Sequence, residues 1–138
     1  MNISEKINNF GVVILAAGRG TRLHCDDLPK VMLEIGGKPI VSYIIDTLFK
    51  IGFQREQICL VVGFHKEKVI DYFADNLLYA VQDEPLGTAH AAYTGMKFLP
   101  GHLKQILVIN GDDSAFYCPE TIINFINSND GDTQIIIK

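Results

Sequence analysis

Positive charge, paired cysteines and long apolar runs are all scarce in this chain, and each scarcity removes a class of function. Twelve Lys and Arg residues stand against 16 Asp and Glu, giving a net charge of -4. That balance argues against a general nucleic-acid or anionic-membrane surface, while leaving room for one local basic pocket. Cysteines number three, Cys25, Cys59 and Cys118, with no CxxC spacing among them. An odd, scattered set reads as reduced thiols of a cytoplasmic protein, not as a disulfide or zinc framework. Cys59 lies inside an apolar run and reads as core; Cys25, in a basic loop, reads as a packing residue. No apolar stretch is long enough to cross a bilayer, and the opening MNISEKINNF lacks the apolar core of a signal peptide. Repeats, low-complexity tracts and interdomain linkers are missing too, so residues 1–138 read as a single domain of common size.

What is present is a chain 48% hydrophobic, enough for a substantial core. Residues 1–9 read as a frayed polar lead-in. Residues 11–17 are a continuous Val- and Ile-rich run, as expected of a strand covered on both faces. Residues 31–35 read as a short extended piece closed by Gly36-Gly37. Pro39 then opens a helix whose Ile40, Ile44 and Leu48 repeat on one face, ending at Gly52. Further strands are expected at residues 57–62, 77–81, 105–109 and 133–137, and further helices at residues 65–74, 88–99 and 119–128. Strands that alternate with helices predict an α/β fold: a Rossmann-like, doubly wound, largely parallel sheet with helices on both faces.

The stretch ILAAGRGTRLHCDDLPK, residues 14–30, begins as a buried strand, breaks at Gly18 and Gly20, and turns basic at Arg22 and Lys30. Glycine lets a backbone approach an anion closely, and successive N–H groups in a turn can point at it together. Arg adds a planar fork of donors and Lys a point charge. This is a loop suited to phosphate. In the common strand order 3-2-1-4, the first and fourth strands are neighbours, and ligands bind beyond their C-terminal ends. Asn110-Gly111-Asp112 follows the fourth strand, so a carboxylate is expected beside the phosphate loop, and residues 82–88 open on the same side. An aspartate next to a polyphosphate makes sense with a divalent cation between them, and Mg²⁺ takes one or two carboxylates plus substrate phosphates. Asp112 is therefore the candidate magnesium ligand. The plainer reading of Asp112 and Asp113 is turn chemistry at a strand end, which the phosphate loop at Gly18 makes the weaker of the two.

Two familiar phosphate motifs do not fit. Gly18-Arg19-Gly20 is followed by Thr21, Arg22 and Leu23, without the third glycine of a dinucleotide fingerprint. Gly37-Lys38 is followed by Pro39, with no Ser or Thr as a Walker loop requires, so Lys38 reads as a solvated turn residue. His90 reads as a residue of the helix surface or of packing, not as a base.

Three stretches together carry a family resemblance. They are Leu15-Ala16-Ala17-Gly18-Arg19-Gly20-Thr21-Arg22-Leu23 with Pro29-Lys30-Val31-Met32 and Gly37-Lys38-Pro39-Ile40, then residues 82–91 (QDEPLGTAHA), then Gly111-Asp112. In order and spacing these resemble the sugar nucleotidyltransferases, which join a nucleoside triphosphate to a sugar 1-phosphate. Residues 82–91 are most similar to the N-acetylglucosamine-1-phosphate uridylyltransferase form, which favours UTP. The resemblance implies the nucleotide-diphospho-sugar transferase fold and a Mg²⁺ cofactor. It implies that Leu15, Ala16, Ala17 and Gly18 line the base and ribose, and that Gly20, Thr21 and Arg22 hold the β- and γ-phosphates. Lys30 would reach the α-phosphate or the sugar phosphate, Gln82 would read the base edge beside Gly87 and Thr88, and Asp112 would bind the metal. Arg22, Lys30 and Asp112 would be the catalytic set. The family's catalytic domain is longer than 138 residues, and its later part normally binds the sugar. The chain is thus expected to be the N-terminal portion of such a domain, with the sugar open and a homo-oligomer equally open. A nucleotide- and Mg²⁺-binding module without turnover, and a cytidylyl- or molybdopterin-type transferase, stand as alternatives. The latter usually departs from the Thr21-Arg22 and Leu86-Gly87-Thr88 pattern.

Overall fold

The computed structural model describes residues 2–18, 28–112 and 117–128. Four parallel strands make the main sheet: β1 (Phe10–Leu15), β4 (Ile58–Val62), β5 (Leu78–Val81) and β6 (Gln105–Asn110), in the order β5-β4-β1-β6. This is the expected 3-2-1-4 order counted along the main sheet. β1 is central: Val12 pairs with Ile58 on one side and Leu107 on the other.

Helices cover both faces, as a parallel sheet requires. On one face lie α2 (Ile40–Ile51), α3 (Lys66–Phe73) and α5 (Pro119–Ser128). Their Val41, Ile44, Leu48, Val69, Ile122 and Ile126 pack with Val12, Ile14, Leu60 and Val62 of the strands. Each such fully buried aliphatic side chain contributes about 1.5–3 kcal/mol. The opposite face is covered by α4 (Thr88–Met96), where small Ala91 packs with Val13, Cys59, Val61 and Ala80. Cys59 is core as expected, and burial pushes its thiol pKa up to about 12. Cys25 lies outside the described residues, and the described cysteines Cys59 and Cys118 are free. No helix among the described residues is long and apolar enough to cross a membrane.

Two expectations need correction. The lead-in expected to be frayed is folded over residues 2–9: it contains α1 (Ile3–Ile7), whose Asn2 cap accepts a hydrogen bond from the Glu5 N–H at 2.9 Å. Ile7 is 2% exposed. Its carbonyl and that of Phe10 each accept from Gln57 Nε2 at 2.8 Å, while Gln57 Oε1 accepts from the Gln54 N–H at 2.9 Å. Every polar atom of this buried amide is thereby matched. Residues 31–35 are not one extended piece either. Lys30–Met32 is a 3₁₀ turn, followed by a small antiparallel hairpin of β2 (Glu34–Ile35) and β3 (Lys38–Pro39). Val31 and Met32 are adjacent and both buried. An extended backbone would point them to opposite sides, whereas the 3₁₀ turn brings both to one core. Lys38 is more than a solvated turn residue: its Nζ lies 2.6 Å from Asp46 Oδ2 and 4.3 Å from the Tyr43 ring centre. The hydrogen bond that its ammonium donates to Asp46 raises its pKa above the usual lysine value. The expected strand at residues 133–137 lies outside the described residues.

Candidate active site

All four parallel strands end on one side, and there the chain opens into a cleft of ≈ 320 Å³. Its wall is assembled from Leu15, Ala17 and Gly18 after β1, Lys30 and Val31 of the 3₁₀ turn, and Gln82 and Pro85 after β5. Gly87, Thr88 and Ala91 at the start of α4, with Asn110 and Asp112 after β6, complete it. A second hollow of ≈ 270 Å³ shares Ala17, Gly18, Gln82 and Pro85 and continues towards Gly63 and Lys66. Strand order thus brings together stretches from Leu15 to Asp112 that are far apart in the chain.

At the end between β1 and β6, Lys30 Nζ lies 2.8 Å from Asp112 Oδ2, with side chains 40% and 29% exposed. Asp112 is held there because the Gly111 N–H donates to the Leu15 carbonyl at 3.0 Å, extending the β1–β6 ladder by one bond. Glycine at 111 is demanded by space: a Cβ would lie 3.0 Å from the Leu15 carbonyl oxygen and 3.1 Å from side-chain carbons of Val31 and Val41. The hydroxyl of Tyr43 donates to the Ile35 carbonyl and so ties α2 to the hairpin beyond the 3₁₀ turn that carries Lys30.

At the other end, between β5 and α4, the Gln82 N–H donates to the Val62 carbonyl at 2.8 Å, which fixes where its side chain starts. Gln82 Nε2 lies 3.0 Å from His90 Nδ1 and 3.4 Å from the Gly87 carbonyl oxygen. Glycine again leaves no room beneath: a Cβ at Gly63 would come within 3.0 Å of the Gln82 carbonyl oxygen and 3.2 Å of Ala17 Cβ.

Of the residues singled out from sequence, Leu15, Ala17, Gly18, Lys30, Gln82, Gly87, Thr88 and Asp112 meet in this cleft. Ala16 does not: alternation along the chain turns its side chain into the core, and its N–H is engaged by the Val61 carbonyl at 2.9 Å. Gly20, Thr21 and Arg22 lie outside the described residues, as does Asp113. His90 is on the exposed surface of α4 but turned to Gln82, a pairing that residue type and spacing did not signal. Asn110, Pro85 and Ala91 join the wall without having been singled out.

The donor set suits Mg²⁺ shared with a ligand. Asp112 offers a partly exposed carboxylate at the cleft, beside the amide of Asn110. No group of three or more His, Cys, Asp or Glu residues that could by itself hold a metal is present among the described residues. Mg²⁺ often takes only one or two carboxylates and fills its remaining positions with waters and a ligand's phosphate oxygens, so the Asp112 carboxylate fits such a role.

A family model described as nucleotidyl transferase matches residues 11–138. The bifunctional protein GlmU of Methanococcus maripaludis is 44% identical over 120 residues, covering 84% of this chain and 28% of the relative. GlmU of Neisseria meningitidis serogroup B is 42% identical over 105 residues, covering 76% and 22%. The chain therefore spans about a quarter of the length of these curated relatives. Among solved structures, HddC of Yersinia pseudotuberculosis, crystallised with GMP-PN, superimposes with a TM-score of 0.70 at 35% identity, over 86% of this chain and 53% of that one. The CTP:phosphocholine cytidylyltransferase LicC of Streptococcus pneumoniae gives 0.64 at 25% identity, over 81% and 50%.

Proposed function

This chain belongs to the nucleotidyl transferase family, and from that premise we propose that it transfers a nucleoside monophosphate from a nucleoside triphosphate, with UTP favoured, to a sugar 1-phosphate, releasing pyrophosphate in a Mg²⁺-dependent reaction. The observation that carries the reading is the Lys30–Asp112 pair at 2.8 Å, set in the same cleft as Gln82, Gly87 and Thr88. An ammonium and a metal-competent carboxylate at one end, with a hydrogen-bonding amide at the other, match a molecule that is polyanionic at one end and a base at the other. The likeness of residues 82–91 to N-acetylglucosamine-1-phosphate uridylyltransferases supports uracil and N-acetylglucosamine 1-phosphate as the first substrates to try.

In this reading the backbone of Leu15, Ala16, Ala17 and Gly18 lies along base and ribose. Gln82, flanked by Gly87 and Thr88, meets the base edge. Gly20, Thr21 and Arg22 hold the β- and γ-phosphates. Asp112 would hold Mg²⁺, which when bound supplies charge neutralisation to the triphosphate. A phosphate oxygen of the sugar 1-phosphate attacks the α-phosphorus in line, and the bond to the pyrophosphate oxygen breaks. The attacking oxygen is already ionised at neutral pH, so no side chain has to remove a proton. What remains is to hold two anions together and stabilise the departing charge. Lys30, free to leave Asp112 for a phosphate, and Arg22 suit that work.

The test is a pyrophosphate-release assay with each of the four NTPs, Mg²⁺ and a panel of sugar 1-phosphates, run beside binding titrations of each NTP. Release requiring UTP, N-acetylglucosamine 1-phosphate and Mg²⁺ together is the expected result. Binding without release under every condition would leave a nucleotide-holding module, and failure to bind any NTP would overturn the reading outright.

A further inference from the structure

Gln82 is 8% exposed, yet it lines the cleft. Its amide nitrogen faces two groups at once, His90 Nδ1 at 3.0 Å and the Gly87 carbonyl oxygen at 3.4 Å. A carbonyl oxygen only accepts, so the NH₂ end of the amide is the end that faces Gly87. That carbonyl is itself held by the start of α4, where the Ala91 N–H donates to it at 3.1 Å. The second amide hydrogen then points at His90 Nδ1, which must be the bare, accepting nitrogen, with the ring proton on Nε2. Both amide hydrogens are engaged, and among the described residues nothing donates to Gln82 Oε1.

We propose that His90 is a positioning residue: it locks the Gln82 amide with its oxygen, not its NH₂, free to meet the nucleobase, and so selects bases whose ring nitrogen at that position carries a hydrogen. The proposal deepens the function given above and rests on Gln82 reading the base. Its chemical content is a choice of sign. Uracil carries a donor at N3, and an amide oxygen accepts from it. Cytosine carries a lone pair at N3, and against an amide oxygen two acceptors would meet, leaving both buried and unmatched. An amide released from His90 can turn over and offer its NH₂ to cytosine. His90 therefore acts on discrimination more than on affinity, because a freed amide can take whichever orientation makes one hydrogen bond with the base present.

Two measurements on the full chain test this. Nitrogen-15 NMR of the imidazoles, without nucleotide, should show His90 Nδ1 as the unprotonated, accepting nitrogen. Titrations of UTP, CTP and N3-methyl-UTP with Mg²⁺ should show the wild-type protein preferring UTP to both, and His90→Phe lowering the preference for UTP over CTP by about tenfold, the worth of one hydrogen bond. UTP affinity itself should change little, and His90→Gln, which restores an acceptor, should recover part of the preference. An Nδ1 that carries the proton, or an unchanged preference in His90→Phe, overturns the role of His90 while base reading by Gln82 survives. A wild-type protein that binds UTP and N3-methyl-UTP equally overturns base reading at this position, and the proposal with it.

Discussion

At one end of the cleft a lysine and an aspartate lie 2.8 Å apart; at the other, an amide and an imidazole lie 3.0 Å apart. The first contact is between charges, both partly in water, so it is weakly directional and screened by salt. Its members can exchange partners at little cost, as the proposed roles with a metal and a phosphate would require. The second contact involves an amide with almost no access to water. Its strength depends on which atom faces which, and it gains nothing from flexibility. On the proposed function, charge is exchangeable at the end that would meet an anion, and geometry is fixed at the end that would read a base by pattern.

That contrast can be broken from the charged side with the largest effect. Asp112→Ala should abolish Mg²⁺-dependent binding of UTP, measured by titration with and without the metal, and should leave the melting curve nearly unchanged because the residue sits beyond a strand end. Arg22→Ala should weaken UTP binding about tenfold or more, the range for hydrogen bonds to charged groups, while uridine binding stays within twofold. Equal losses for both ligands would remove the phosphate role. The two buttressing glycines give a matched pair. Gly111→Ala and Gly63→Ala should each cost about 1–3 kcal/mol in denaturant titrations, since backbone or close-packed carbons must move. Gly111→Ala should reduce triphosphate affinity first, and Gly63→Ala the preference among bases. The smallest effect sharpens the same contrast: moving from low to physiological ionic strength should weaken UTP a few-fold and leave uridine unaffected, because screening reaches only the charged end.

The main sheet was legible because β1 and β4 are unbroken apolar runs, and because alternating helices admit few strand orders. From that order alone, residues after β1, β5 and β6 had to converge. What stayed hidden had a local cause in each place. α1 spans only Ile3–Ile7, too short for periodicity to show, and its cap Asn2 looks like any polar residue near a chain start. Val31 and Met32 alternate with nothing, so their 3₁₀ turn could not be told from a strand. Gln57 reads as the first residue of the strand at residues 57–62 until Ile7 and Phe10 are seen to present carbonyls to it. Lys30 and Asp112 were each marked for chemistry, but that they meet each other depends on the turn at residues 30–32. His90 and Gln82 belong to different elements joined by a loop, and only the placement of α4 makes them partners.

The central position of β1 also sets an order of events during folding. Its partners on one side, β4 and then β5, follow it closely in the chain, whereas Leu107 and its neighbours in β6 come much later. Contacts between distant segments wait on a larger loss of chain freedom. The wall that carries Gln82 therefore has its strands assembled while the wall that carries Asp112 does not yet exist. Pulse-labelled hydrogen exchange during refolding should protect amides of β4 and β5 before those of β6. On the proposed function, a folding chain would then acquire its means of recognising a base before its means of gripping a phosphate.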